Sequence, residues 1–105
     1  IDLSMITSSK FLKKYSEQEL VGLLTETIEV LNDVDEADWT EDNLQNLLNS
    51  LLVKTEKKPA EFFSLIRIAV SFAAFSPALH LTLHVLGKNR TLARLNKVRT
   101  ALSNN

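Results

Sequence analysis

Leucine, isoleucine and valine recur at intervals of three and four along most of this chain, the spacing of helices that each bury one face. The clearest run is Leu20, Leu23, Leu24, Thr27, Ile28 and Leu31. Ser16 stands ahead of it and Glu19 follows three residues later, a capping box in which the glutamate can reach back to the cap N–H. A shorter helix is predicted from Ser9 to Tyr15, with Phe11 and Leu12 inward and Lys10, Lys13 and Lys14 outward. The acidic stretch Asn32–Trp39 has no period and reads as a connection. Thr40 then caps a helix whose buried stripe is Leu44, Leu47, Leu48, Leu51 and Leu52, and the polar Lys54–Lys58 closes it.

Pro59 suits the first turn of the next helix, where its missing N–H has no partner to lose. That helix, PAEFFSLIRIAVSF, is apolar on nearly every face and so is expected among the others. A break is predicted around Ala73–Phe75. Ser76 as cap and Pro77 as first residue then open the helix SPALHLTLHVLG, which Gly87 ends. Asn89 is predicted to cap the last helix, with Leu92, Leu95, Val98 and Leu102 inward and Arg90, Arg94, Lys97 and Arg99 on the other face. The expectation is an all-α fold, a compact bundle of five to six helices.

Composition narrows the function. The 105 residues suffice for one domain with a modest core and are few for a self-contained enzyme. No cysteine is present, which excludes disulfides and thiolate metal sites and fits a reducing cytoplasm. No apolar run approaches the length that crosses a bilayer. The chain begins at Ile1 and not at Met, which reads as a fragment of something longer.

The net charge of −1 conceals an asymmetry. Residues 1–57 carry five lysines against twelve acids, a balance of −7, whereas residues 58–105 carry seven basic residues against Glu61 alone, +6. Clustered basic charge attracts polyanions, so an anionic partner is expected for the second half; the alternative is that the two halves attract each other.

Few residues offer catalytic chemistry. His80 and His84 form an HxxxH pair on one helix face, a spacing zinc can use, but no third ligand or nearby acid accompanies them. No metal site, cofactor site or glycine-rich phosphate loop is expected. Arg67 stands out within SLIRIAV, where a charge is costly unless paired. Either it snorkels or bridges to an acid, or its planar guanidinium reaches a nucleobase or phosphate. SPALH (Ser76–His80) offers a cap hydroxyl, a proline face, a leucine and an imidazole, a mixed surface of the kind unstacked bases use. Lys88, Arg90, Arg94, Lys97 and Arg99 come with no intervening acid and could follow a phosphate backbone.

Taken in order, Trp39–Leu48 (WTEDNLQNLL), Lys57–Arg67 (KKPAEFFSLIR), Ile66-Arg67-Ile68-Ala69, Ser76-Pro77, Val85-Leu86-Gly87-Lys88 and Leu92-Ala93-Arg94-Leu95 resemble the C-terminal end of bacterial-type glutamyl-tRNA synthetases. The resemblance covers roughly residues 10–102, with the first nine matching poorly. It implies the C-terminal anticodon-binding domain of a class I synthetase over residues 1–105, with 1–38 a helical lead-in and 39–105 the terminal helical subdomain. In the family the positions of Arg67, Ser76, Pro77, Leu79 and His80 contact anticodon bases, and the basic tail helix, here Lys88, Arg90, Arg94 and Lys97, lies near the loop's backbone. The implied partner is tRNA-Glu, with no membrane or DNA, and the implied state is a cytoplasmic monomer. The full-length enzyme would join glutamate to tRNA with ATP and magnesium; this chain carries neither the HIGH-like nor the KMSKS-like signature. Ser71-Phe72 replaces the family's Thr-Gly, and a phenylalanine cannot take a glycine's positive φ cheaply, so a longer helix and a reshaped turn are expected. His80 stands where large apolar or aromatic residues are usual. The alternatives are a class I lysyl-tRNA synthetase, which shares a related helical cage, and a protein-interaction domain with oppositely charged halves.

Overall fold

The computed structural model describes Ile6, residues 12–71 and residues 78–104. Among these residues there are five α-helices and no strand: α1 (Glu17–Asn32), α2 (Glu41–Thr55), α3 (Pro59–Ser71), α4 (Leu79–Leu86) and α5 (Lys88–Ser103), with a 3-10 turn at Glu36–Asp38 between α1 and α2. The fold is an all-α bundle, as the periodicity predicts. Of the lead-in helix predicted for Ser9–Tyr15, only Leu12 onward is described. Leu12 is buried, Lys13 and Lys14 are exposed, and Tyr15 N–H closes a turn onto the Leu12 carbonyl.

All six residues of the predicted α1 stripe are buried. Ser16 caps it as expected, its Oγ accepting from Glu19 N–H at 3.1 Å, but the Glu19 carboxylate accepts from the Ser16 hydroxyl at 3.3 Å instead of from the cap N–H. In α2, Leu44, Leu48 and Leu51 are buried while Leu47 and Leu52 are half-buried at its margins, and Thr40 Oγ1 accepts from Asn43 N–H. α1 lies along α5 over most of its length, α2 packs on α4, and α3 is seated against α5. α3 buries Phe62, Leu65, Ile66, Ile68, Ala69 and Val70, consistent with its nearly unbroken apolar sequence.

Two helix starts differ from the sequence expectation. α4 begins at Leu79 with Ala78 at its cap and no side-chain bond there, two residues later than Ser76-Pro77 predicts. α5 begins at Lys88 and not beyond Asn89, because Gly87 (φ 84, ψ 162) reverses the chain in a single residue. Gly87 N–H closes α4 onto the Leu83 carbonyl at 3.0 Å, and its own carbonyl opens α5 by accepting from Thr91 N–H at 3.1 Å. One residue thus ends one helix and starts the next, in a backbone region that essentially only glycine occupies.

Trp39 is a second departure. The connection Asn32–Trp39 has no apolar period, yet Trp39 is buried and donates its indole N–H to the Leu83 carbonyl at 2.9 Å. It precedes the Thr40 cap and, with Leu44 four residues beyond that cap, occupies the two positions of a hydrophobic staple. That local rule was the available signal.

Candidate functional site

α3 carries Arg67 between buried Ile66 and Ile68, and the arginine itself is half-buried. Two side chains bond backbone carbonyls in the last described residues of α3. Ser71 Oγ donates to the Arg67 carbonyl, and the Arg94 guanidinium, from α5, donates to the Val70 carbonyl. The second bond joins residues 24 apart and fixes α5 beside the last turn of α3.

That contact shows which cations of α5 lie near Arg67. At 3.6 residues per turn, Arg90, Arg94 and Lys97 follow i, i+4, i+7 and share one flank. Arg99 lies nine residues from Arg90, half a turn round, and Lys88 falls beside it, across the buried stripe of Thr91, Leu95, Val98 and Leu102. The single basic face expected from the sequence is therefore two flanks, and only the first borders α3. Arg99 donates to Asn96 Oδ1 at 2.7 Å. Among the described residues, Lys88, Arg90, Lys97 and Arg99 form no ion pair.

α4 contributes its first turn. His80 is half-buried there, while Leu79 is 3% exposed and belongs to the core, beneath the surface on which a base contact was expected of it. Ser76, Pro77 and Phe72 lie outside the described residues, as does the predicted break at 73–75. Ser71 and Ala78 are the described ends of the α3–α4 connection, and Arg67 and His80 sit within a helical turn of those ends. His84, the other member of the HxxxH pair, is exposed and stands 3.9 Å from the Glu41 carboxylate. Among the described residues, no group of three or more His, Asp or Glu side chains is placed to hold a metal ion.

One polar cluster escaped sequence reading because its members are far apart in the chain. Glu61, in the first turn of α3, accepts from the Tyr15 hydroxyl and pairs with Lys14 at 2.7 Å. Lys14 and Lys57 approach the Tyr15 ring at 5.5 and 5.0 Å from its centroid. Burial, reinforced by the adjacent Glu61 carboxylate, pushes the Tyr15 hydroxyl up to about 12. The hydrogen bond from Lys14, followed by that from Tyr15, holds Glu61 below the usual carboxylate range. The only acid of the basic half is thus engaged in fastening residues 14 and 15 to α3, away from the Arg67 end.

A family model described as an anticodon binding domain matches residues 2–99. The chain is 38% identical over 91 residues to a glutamate–tRNA ligase of Bifidobacterium longum, 86% of this chain and 18% of that protein. It is 34% identical over 92 residues to the corresponding ligase of Chloroflexus aurantiacus (88% and 18%), and 31% identical over 99 residues to that of Corynebacterium jeikeium (93% and 20%). The chain spans about a fifth of the length of these relatives. No solved structure gives a significant match.

Proposed function

The chain belongs to the anticodon-binding domain family, and from that premise we propose that it is the C-terminal domain of a glutamate–tRNA ligase and holds the anticodon loop of tRNA-Glu. Arg67 and His80, with Ser76 and Pro77 between them in the chain, contact the bases. Leu79 supports that surface from the core. Arg90 and Lys97 meet the phosphates of the loop, and Lys88 meets them from the other flank. The domain acts as a monomer in the cytoplasm; residues 1–38 lead into it and residues 39–105 form the terminal subdomain. Aminoacylation, with its ATP and magnesium, belongs to a class I catalytic portion of the longer enzyme, which this chain does not carry.

The observation that supports this reading is the Arg94–Val70 bond, which sets the Arg90–Lys97 flank of α5 beside the last described turn of α3, the turn that follows Arg67. A guanidinium can pair with a base edge, and exposed cations along a helix flank can track a backbone. No helix among the described residues is long and apolar enough to cross a membrane. The test is binding of the chain to a tRNA-Glu anticodon stem-loop, titrated with salt. Affinity should fall linearly on a log–log plot, and each of Arg90→Gln and Lys97→Gln should flatten the slope by about 0.7. Binding that ignores salt would contradict the proposal.

A further inference from the structure

Arg94 was grouped with the phosphate-contacting cations of α5, but its geometry gives it a different task. It is half-buried, whereas Arg90 and Lys97 on the same flank are exposed. Its guanidinium donates to the Val70 carbonyl in the last described turn of α3. The donor is a cation, so the bond is charge-assisted. Val70 lies one turn beyond Arg67, and the Ser71 hydroxyl that follows is bonded back to the Arg67 carbonyl.

We propose that Arg94 is a positioning residue: it ties the last described turn of α3 to α5, sets where Arg67 is presented, and fixes the register between base contacts and backbone contacts. This rests on the anticodon reading above. The logic is mechanical. α5 carries the phosphate-facing Arg90 and Lys97, and α3 carries the base-facing Arg67. The Arg94–Val70 bond ties the end of one to the flank of the other. Loss of that tie lets α3 shift against α5 and blurs base selection, yet removes no phosphate contact.

The experiment compares wild type, Arg94→Gln and Arg94→Lys for binding to the anticodon stem-loop and to a copy with its middle base changed, across a salt series. Far-UV circular dichroism and the fluorescence of Trp39, the sole tryptophan, establish that each variant is folded. Wild type should discriminate by about tenfold or more. Arg94→Gln should retain less than about threefold discrimination while its salt slope stays within roughly 0.3 of wild type, since a lost phosphate contact removes about 0.7. Arg94→Lys keeps the charge but not the planar fork, so it should also lose discrimination at unchanged slope, and it decides the matter if the glutamine variant does not fold. Uniform weakening with a flatter slope in Arg94→Gln, or wild-type discrimination in Arg94→Lys, overturns the positioning role and leaves the anticodon reading intact. A wild-type chain indifferent to the middle base overturns the reading itself.

Discussion

Gly87 and Gly22 allow one substitution to be tried in two backbone conformations. A Cβ built on either glycine meets no atom within 4 Å, so Gly→Ala introduces no clash at either site and only backbone conformation differs. Gly22 is an exposed residue of α1, and alanine there should stabilise by about 0.5–1 kcal/mol through reduced unfolded-state freedom and better helix propensity. Gly87 sits at φ 84, ψ 162, a region closed to L side chains at a cost of about 1–3 kcal/mol, of which the unfolded-state gain returns about 0.4–1. The expected net for Gly87→Ala is a loss of about 1–2 kcal/mol, or roughly 5–10 °C in Tm for a domain of this size. Urea unfolding followed by Trp39 fluorescence reports on the joint, because the indole is bonded to Leu83, whose carbonyl Gly87 also caps. The midpoint should move down for Gly87→Ala and up for Gly22→Ala, with the m-value unchanged in both. If Gly87→Ala is neutral or stabilising, the positive-φ joint between α4 and α5 is wrong, and so is the orientation it gives the basic flank.

Tyr15 is the only tyrosine, so its phenolate absorbance titrates without interference. The transition should centre near 12, and Glu61→Gln should lower it only in part, since burial is the largest single cause. The sign for stability follows: with the folded value raised above the ordinary 10, the contribution is complete below pH 10 and is lost as pH climbs toward 12. Glu61 behaves oppositely, its contribution being present above the ordinary carboxylate range and lost as pH falls through its depressed value. Thr91 is fully buried in α5 and its hydroxyl has no hydrogen-bond partner among the described residues. Thr91→Val should therefore stabilise by about 1 kcal/mol by removing a desolvated polar group, and a destabilised variant in thermal melts would refute that assignment.

The period of the apolar residues made the helices legible. All six α1 stripe residues are buried as spaced, and Leu95, Val98 and Leu102 hold α5 inward. Burial of a face repeats every three to four residues, so it writes itself into the sequence. The joints did not, because they turn on one residue's dihedral angles. Gly87 was read as the stop of α4, but its carbonyl also starts α5, which made the expected Asn89 cap superfluous. Long-range bonds were equally silent. Trp39 meets Leu83 across 44 residues and Tyr15 meets Glu61 across 46, and neither partner carries a local pattern that names the other.

The candidate site divides the same way. Arg67 was visible as a charge in an apolar run, and the basic residues of α5 were visible by composition. Their division into two flanks needed only helix geometry, whereas the task of Arg94 needed α3 in place beside it. Leu79 was legible as apolar, but its burial in the core was not, because a leucine in a helix's first turn can face either way.

The central claim is that Arg67 reads an anticodon base, and a double-mutant cycle tests it most directly. Binding is measured for wild type and Arg67→Ala against the anticodon stem-loop with its native and with a changed middle base. A direct contact predicts a coupling of about 1–3 kcal/mol, so that the base change, costly for wild type, costs the alanine variant almost nothing. Additive losses, each change weakening binding regardless of the other, would contradict the account.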